Sequence, residues 1–123
     1  MGPALKALFD TNILIDYLNG SEEAAVEMGR YHERLISVIT AMEVLAGAQT
    51  AEQEDVIEMF LRDFRLVELS RAIMREAVDL RRTQRVRLPD AMIWATARIE
   101  SALIVTRNTK DFPPTEPGVR IPY

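Results

Sequence analysis

Short apolar runs alternating with amphipathic helical stretches leave this chain few folds to adopt. The runs lie at residues 4–9 (ALKALF), 34–39 (RLISVI), 66–69 (LVEL) and 103–106 (LIVT), and residues 119–121 supply a further short edge segment. Between them the period changes from two to that of a helix. Residues 12–18 form an apolar helix that Asn19 and Gly20 terminate, and Ser21 caps a second helix reaching about His32. Thr40 starts a helix, and Thr50 with Gln53 has capping-box spacing ahead of Val56, Ile57, Phe60, Leu61 and Phe64, a face expected to pack on the sheet. Ser70 caps a helix presenting Ile73, Ala77 and Leu80, residues 85–88 form a hinge, and Pro89 takes the first position of a helix apolar on nearly every side. Strands separated by helices read as an α/β three-layer sandwich, with a mainly parallel central sheet of four to five strands flanked by helices.

At 123 residues and 48% apolar, the chain suits a single domain, residues 1–123, with a core of its own. Cys is absent and His32 is the only histidine, which excludes a disulfide framework, a zinc ligand set and a Cys/His nucleophile pair. Site chemistry must therefore rest on oxygen. No run approaches the roughly 20 apolar residues that span a bilayer, so no membrane partner is expected and the cytoplasm is the expected location. The net charge of −4 does not suggest a generally basic nucleic-acid binder, yet Arg81, Arg82, Arg85 and Arg87 crowd into RRTQRVRLPD, and Arg107 and Lys110 flank a later polar turn. These cations could hold phosphate or simply solvate a helix end, where the dipole favours them.

Four acids stand at strand ends or helix starts: Asp10 in LFDTNILIDYL, Glu43 in SVITAMEVLAGA, Asp90 in RLPDAMIWATA and Asp111 in IVTRNTKDF. Each has an adequate structural reading alone. Asp10 can cap a helix, Glu43 completes a capping box with Thr40, Asp90 gains from the helix dipole, and Asp111 is a turn residue for which Asn108 is a competitor. In an open parallel sheet, however, strand C-termini and the starts of connecting helices share one edge, where ligands bind. Carboxylates gathered there repel or take up protons unless a hard cation neutralises them.

The segments FDTNILIDYL, ITAMEVLAG, LPDAMIWATA and IVTRNTKDF together resemble, in order and spacing, the PIN-domain nucleases, and particularly the VapC-type ribonuclease toxins of toxin-antitoxin modules. The resemblance spans almost the whole chain. It implies a PIN-like fold and Mg²⁺, with Mn²⁺ a substitute, bound by Asp10, Glu43, Asp90 and Asp111, the four catalytic acids. At the fourth position the family's usual acid is replaced by Asn108, with Asp111 three residues later. Thr11, Asn12 and Thr106 match polar positions lining the family's pocket and, together with Asn108, are expected to orient the ligands. Arg82, Arg85, Arg87 and Arg107 become the expected RNA contacts.

The implied reaction is hydrolysis of an RNA phosphodiester by metal-activated water. Implied partners are an RNA substrate, a cognate antitoxin and a second copy of the chain in a homodimer, with higher assembly on the antitoxin. Leu14, Tyr17, Leu18, Val56, Phe60 and Leu61 belong to apolar faces that serve either a partner helix or ordinary core packing. Rival readings are a DNA nuclease with the same acidic pocket and a non-catalytic PIN-like binding module. A receiver-type phosphoacceptor would need an acidic pair after the first strand, where only Asp10 stands.

Overall fold

A computed structural model describes residues 6–123. Five strands form one sheet in the order β3-β2-β1-β4-β5, and every pairing is parallel. They are β1 (Lys6–Phe9), β2 (Glu33–Ser37), β3 (Arg65–Val67), β4 (Leu103–Val105) and β5 (Val119–Arg120). Helices α1 (Thr11–Leu18) and α2 (Glu22–Met28) connect β1 to β2, and α3 (Val38–Ala46) and α4 (Ala51–Leu61) connect β2 to β3. Helices α5 (Arg71–Gln84) and α6 (Leu88–Ile99) carry the chain from the β3 edge across to β4. Residues 106–118 join β4 to β5 without a helix.

Alternation along the strands divides the interior in two. Leu8, Leu35, Val67 and Ile104 face a core made with Ile73, Ala77 and Leu80 of α5 and Ala91, Trp94 and Ala95 of α6. Ala7, Phe9, Ile36 and Val105 face the other way, onto Ile13 and Leu14 of α1, Ala24 and Met28 of α2, and Ala41 and Val44 of α3. The result is the expected three-layer sandwich. Helix α6 is buried through Ala91, Ile93, Trp94, Ala95, Thr96 and Ala97, as its apolar circumference predicts. Phe112, fully enclosed, closes the same layer with its ring centroid 5.4 Å from that of Trp94.

Several boundaries differ from expectation, each for a local reason. Of the first expected strand, residues 4 and 5 lie outside the described residues. The second strand stops at Ser37, whose hydroxyl accepts from the Ile39 amide at 3.0 Å and caps α3 immediately after the strand's leucine-isoleucine pair. Thr40 is therefore inside the helix rather than its cap. Helix α2 ends at Met28, well before His32, and Pro89 occupies the second helical position, after Leu88. Ser70 and Thr50 cap as expected, although Gln53 reaches the Gln49 amide rather than that of Thr50. No residue of helix α4 is fully buried, but Ile57, Phe60 and Leu61 of its expected face are partly buried and pack against the core on the α1/α2/α3 side of the sheet. Val56 and Met59 are exposed, and Phe60 stacks on Tyr17 of α1 at 5.0 Å.

Candidate active site

Strand order reverses at β1, which lies between β2 and β4, and the crevice beyond the C-terminal ends of β1 and β4 is the topological switch point. Asp10 follows β1 directly and lies in that crevice, 4% exposed. Its Oδ1 accepts from the Thr11 amide at 2.7 Å, capping α1, while Oδ2 accepts from the Thr106 hydroxyl at 2.7 Å and the Asn12 amide nitrogen Nδ2 at 3.1 Å. The capping role and the buried acid are thus one arrangement. Burial raises the Asp10 pKa, and the negative Glu43 adds to the rise, while the hydrogen bonds from Thr106, Thr11 and Asn12 oppose it.

Asp90 stands in the first turn of α6, with its side chain 14% exposed. Its pKa is pushed up to about 6 by burial, by its hydrogen bond with Asp111 and by the charge of Asp10, against the opposing pull of Arg87. Asp111 shows the opposite trend: the bond from Asn108 holds it below the ordinary carboxylate range, helped by Asp90 and Arg87. One guanidinium nitrogen, Arg87 Nη2, lies 3.0 Å from Asp90 Oδ2 and 3.2 Å from Asp111 Oδ2.

The turn after β4 distinguishes Asn108 from Asp111. Asn108 Oδ1 accepts from the backbone amides of Lys110 and Asp111, both at 3.1 Å, and Nδ2 donates to Asp111 Oδ2 at 2.9 Å. Both lone pairs of its carbonyl oxygen are thereby engaged. Asn108 braces the turn and orients Asp111, which leaves Asp111 as the acid of this segment.

Glu43 approaches from α3. It is exposed, and its Oε1 accepts from the Thr11 hydroxyl at 2.5 Å, with Thr40 Oγ1 3.2 Å from that same hydroxyl. Its capping-box role falls away because Ser37 caps the helix three residues upstream of Thr40. Thr40, read from sequence only as a cap, instead joins the polar wall of the crevice; helical spacing from Glu43 is the signal that would have placed it there.

Donor chemistry here fits a hard divalent cation: the groups are all oxygens, three are aspartates, and Asp10 and Asp90 both hold protons more tightly than free carboxylates. Among the described residues no three acids form a closed ligand cluster. Instead they are linked pairwise: Glu43 is tied to Thr11, Asp10 lies within electrostatic reach of Asp90, and Asp90 and Asp111 share Arg87.

The PIN-domain family model matches residues 7–114, which contain all four acids. The chain belongs to the PIN-domain family. Ribonuclease VapC10 of Mycobacterium tuberculosis is 31% identical to it over 114 residues, covering 86% of this chain and 85% of the relative. Ribonuclease VapC1 of Methanocaldococcus jannaschii is also 31% identical, over 87% of this chain and 79% of its own length. A toxin-antitoxin complex from Klebsiella pneumoniae contains a chain 44% identical to this one with a TM-score of 0.90, covering 95% of this chain and 98% of that one. DNA-bound VapBC from Salmonella typhimurium superposes with a TM-score of 0.77 at 25% identity, covering 96% and 97%.

The arginines of this PIN domain divide by partner. Arg82 and Arg85 are exposed at the end of α5, and Arg87 bridges two acids. Arg107 is engaged elsewhere: its Nε and Nη2 grip Asp16 of α1 at 2.6 and 2.9 Å, and Tyr123 donates to the same carboxylate at 2.8 Å. That fork fastens the post-β4 turn to α1, with the Arg107 amide donating to Asn12 Oδ1 at 3.2 Å. No helix among the described residues is long and apolar enough to cross a membrane.

Proposed function

We propose that this PIN domain is a Mg²⁺-dependent endoribonuclease toxin of the VapC type, neutralised by a cognate antitoxin and acting in the cytoplasm. The observation that carries this reading is the pairwise approach of Asp10 to Asp90 and of Asp90 to Asp111 at the switch point, where burial and neighbouring negative charge raise the pKa of Asp10 and Asp90. Asp10, Asp90 and Asp111 would hold Mg²⁺, with Mn²⁺ a substitute, and Glu43 would join directly or through water. A divalent ion there supplies charge stabilisation on the scissile phosphate and lowers the pKa of the hydrolytic water.

The chain's own residues do the rest. Thr106, Asn12 and the Thr11 amide fix both oxygens of Asp10, so its carboxylate enters the reaction without reorganising. Glu43, exposed and oriented by Thr11, accepts the proton leaving the attacking water. Arg82 and Arg85, exposed at the end of α5, would hold the RNA backbone with an affinity that falls with salt.

Two apolar surfaces suit the partners. A groove of about 450 Å³ between α1 and the region of α4, lined by Leu18, Val56 and Ile57, would receive an antitoxin segment, and one of about 420 Å³ lined by Leu69, Met74, Val78, Leu88 and Met92 would pair two copies. Incubation with a mixed RNA panel and with matched DNA in Mg²⁺, in Mn²⁺ and in EDTA, followed for both binding and cleavage, tests the activity. Cleavage should require the metal and disappear in Asp10→Asn, whose fold is retained by circular dichroism. Full cleavage by that variant refutes the proposal, cleavage of DNA alone makes the chain a DNA nuclease, and binding without cleavage makes it a binding module.

A further inference from the structure

We propose that Arg87 closes the Asp90–Asp111 pair in the metal-free protein, is displaced when a divalent cation binds, and then becomes a phosphate ligand for the substrate. The inference rests on the metal-dependent nuclease reading and assigns a role within it that the four acids do not fill.

The geometry begins with a single atom. Arg87 Nη2 lies within hydrogen-bond distance of carboxylates delivered by two separate segments, Asp90 from α6 and Asp111 from the turn after β4. These are oxygens that a metal ion would require. A divalent cation and a guanidinium cannot share them, because the two positive charges would be only a few ångströms apart. Binding one therefore expels the other.

Expulsion is easy. The Arg87 side chain is 76% exposed, and although the residue occupies the N-cap position of α6 its side chain makes no capping bond that would restrain it. Exposed ion pairs contribute little to stability, so the hold is real but weak. The backbone, by contrast, stays in place: Val86 is buried just before it, and α6 begins immediately after. Only the side chain needs to move, and it moves at the rim of the site.

Once released, the guanidinium is placed beside the reacting position with its planar fork unpaired, the arrangement that suits a phosphodiester oxygen pair. Arg107 cannot take that part because Asp16 and Tyr123 already occupy its surroundings. Among the described residues Arg87 is the side-chain cation within ion-pair distance of Asp90 and Asp111. Metal entry and substrate capture are thereby coupled: the ion takes the acids, and the acids give up an arginine to the substrate.

The test compares wild type with Arg87→Ala and Arg75→Ala; the second removes the same charge from α5, outside the acidic cluster. Calorimetric titration with MnCl₂ should show Arg87→Ala binding Mn²⁺ roughly threefold to tenfold more tightly than wild type, while Arg75→Ala changes less than about twofold. Binding of a cleavage-resistant, ribose-methylated RNA oligonucleotide to the Mn²⁺-loaded protein should move the other way, weakening at least about threefold in Arg87→Ala only. If Arg87→Ala binds Mn²⁺ no more tightly than Arg75→Ala, or if the oligonucleotide binds both variants equally, the Arg87 role is overturned while the metal-dependent reading stands. If wild type and both variants all fail to bind Mn²⁺, both are overturned.

Discussion

Replacing Asp90 by Asn should make the metal-free protein more stable while removing its ability to respond to metal. Between an ordinary unfolded aspartate near about 3.9 and about 6 in the fold, the carboxyl loses charge on folding. A raised acid binds more protons in the native state, so its unfavourable contribution is fully present above about pH 6 and fades as pH falls toward the unfolded value. A difference of about two pH units corresponds to about 3 kcal/mol before screening. The side chain is only partly enclosed, and water and Arg87 screen it, which reduces the figure to about 1–1.5 kcal/mol. For 123 residues the unfolding entropy converts each kcal/mol to about 4 °C. Thermal denaturation followed by circular dichroism in EDTA should therefore place Asp90→Asn about 4–6 °C above wild type at about pH 7.5, with the gap cut to about half near pH 5. Adding MgCl₂ at the higher pH should raise the wild-type midpoint and leave the variant unmoved. A variant no more stable than wild type at pH 7.5, or a gap indifferent to pH, refutes the claim that Asp90 is held against its charge.

Two further outcomes probe the frame around the site. Arg85 ends α5 in the left-handed region at φ 59°, so Arg85→Gly should stabilise the fold by about 0.5–1 kcal/mol in urea denaturation while weakening RNA binding. Glu27, almost fully buried, accepts from Arg120 at 2.6 and 2.8 Å and from Tyr31 at 2.6 Å, tying α2 to β5. Glu27→Ala leaves those donors without their acceptor and should cost about 2–4 kcal/mol by the same measurement; a loss below about 1 kcal/mol would contradict a structural role for the cluster.

What could be read from the chain was whatever local physics controls. Ser21, Thr50 and Ser70 cap helices because a side-chain oxygen needs only an amide two or three residues ahead. Trp94 and its neighbours announce a buried helix by being apolar all round. Parallel topology then places Asp10, Asp90 and Asp111 on one edge without any knowledge of side-chain positions. Competition and long-range pairing were not legible. Ser37 and Thr40 are both competent caps, and only the packing of Ile39 into the α5/α6 core shows that Ser37 wins. Helix α4 carries an apolar face like that of any core helix, yet its Ile57, Phe60 and Leu61 are only partly buried, packed against the core that α1, α2 and α3 build on that side of the sheet. Nor does any spacing reveal that Arg107 has a carboxylate partner in α1 while Arg87 has two beside the pocket; partners so far apart in the chain are chosen by the fold.

The contact between Phe112 and Trp94 gives the reaction centre a dependence on the hydrophobic interior. Phe112 adjoins Asp111, and Trp94 lies one helical turn beyond Asp90, so the two rings meeting at 5.4 Å form a hinge pin between the segments that carry these acids. The separation of two hydrophilic groups is consequently gauged by the volume of two hydrophobic ones. One methylene lost from the pin would therefore be felt at the carboxylates.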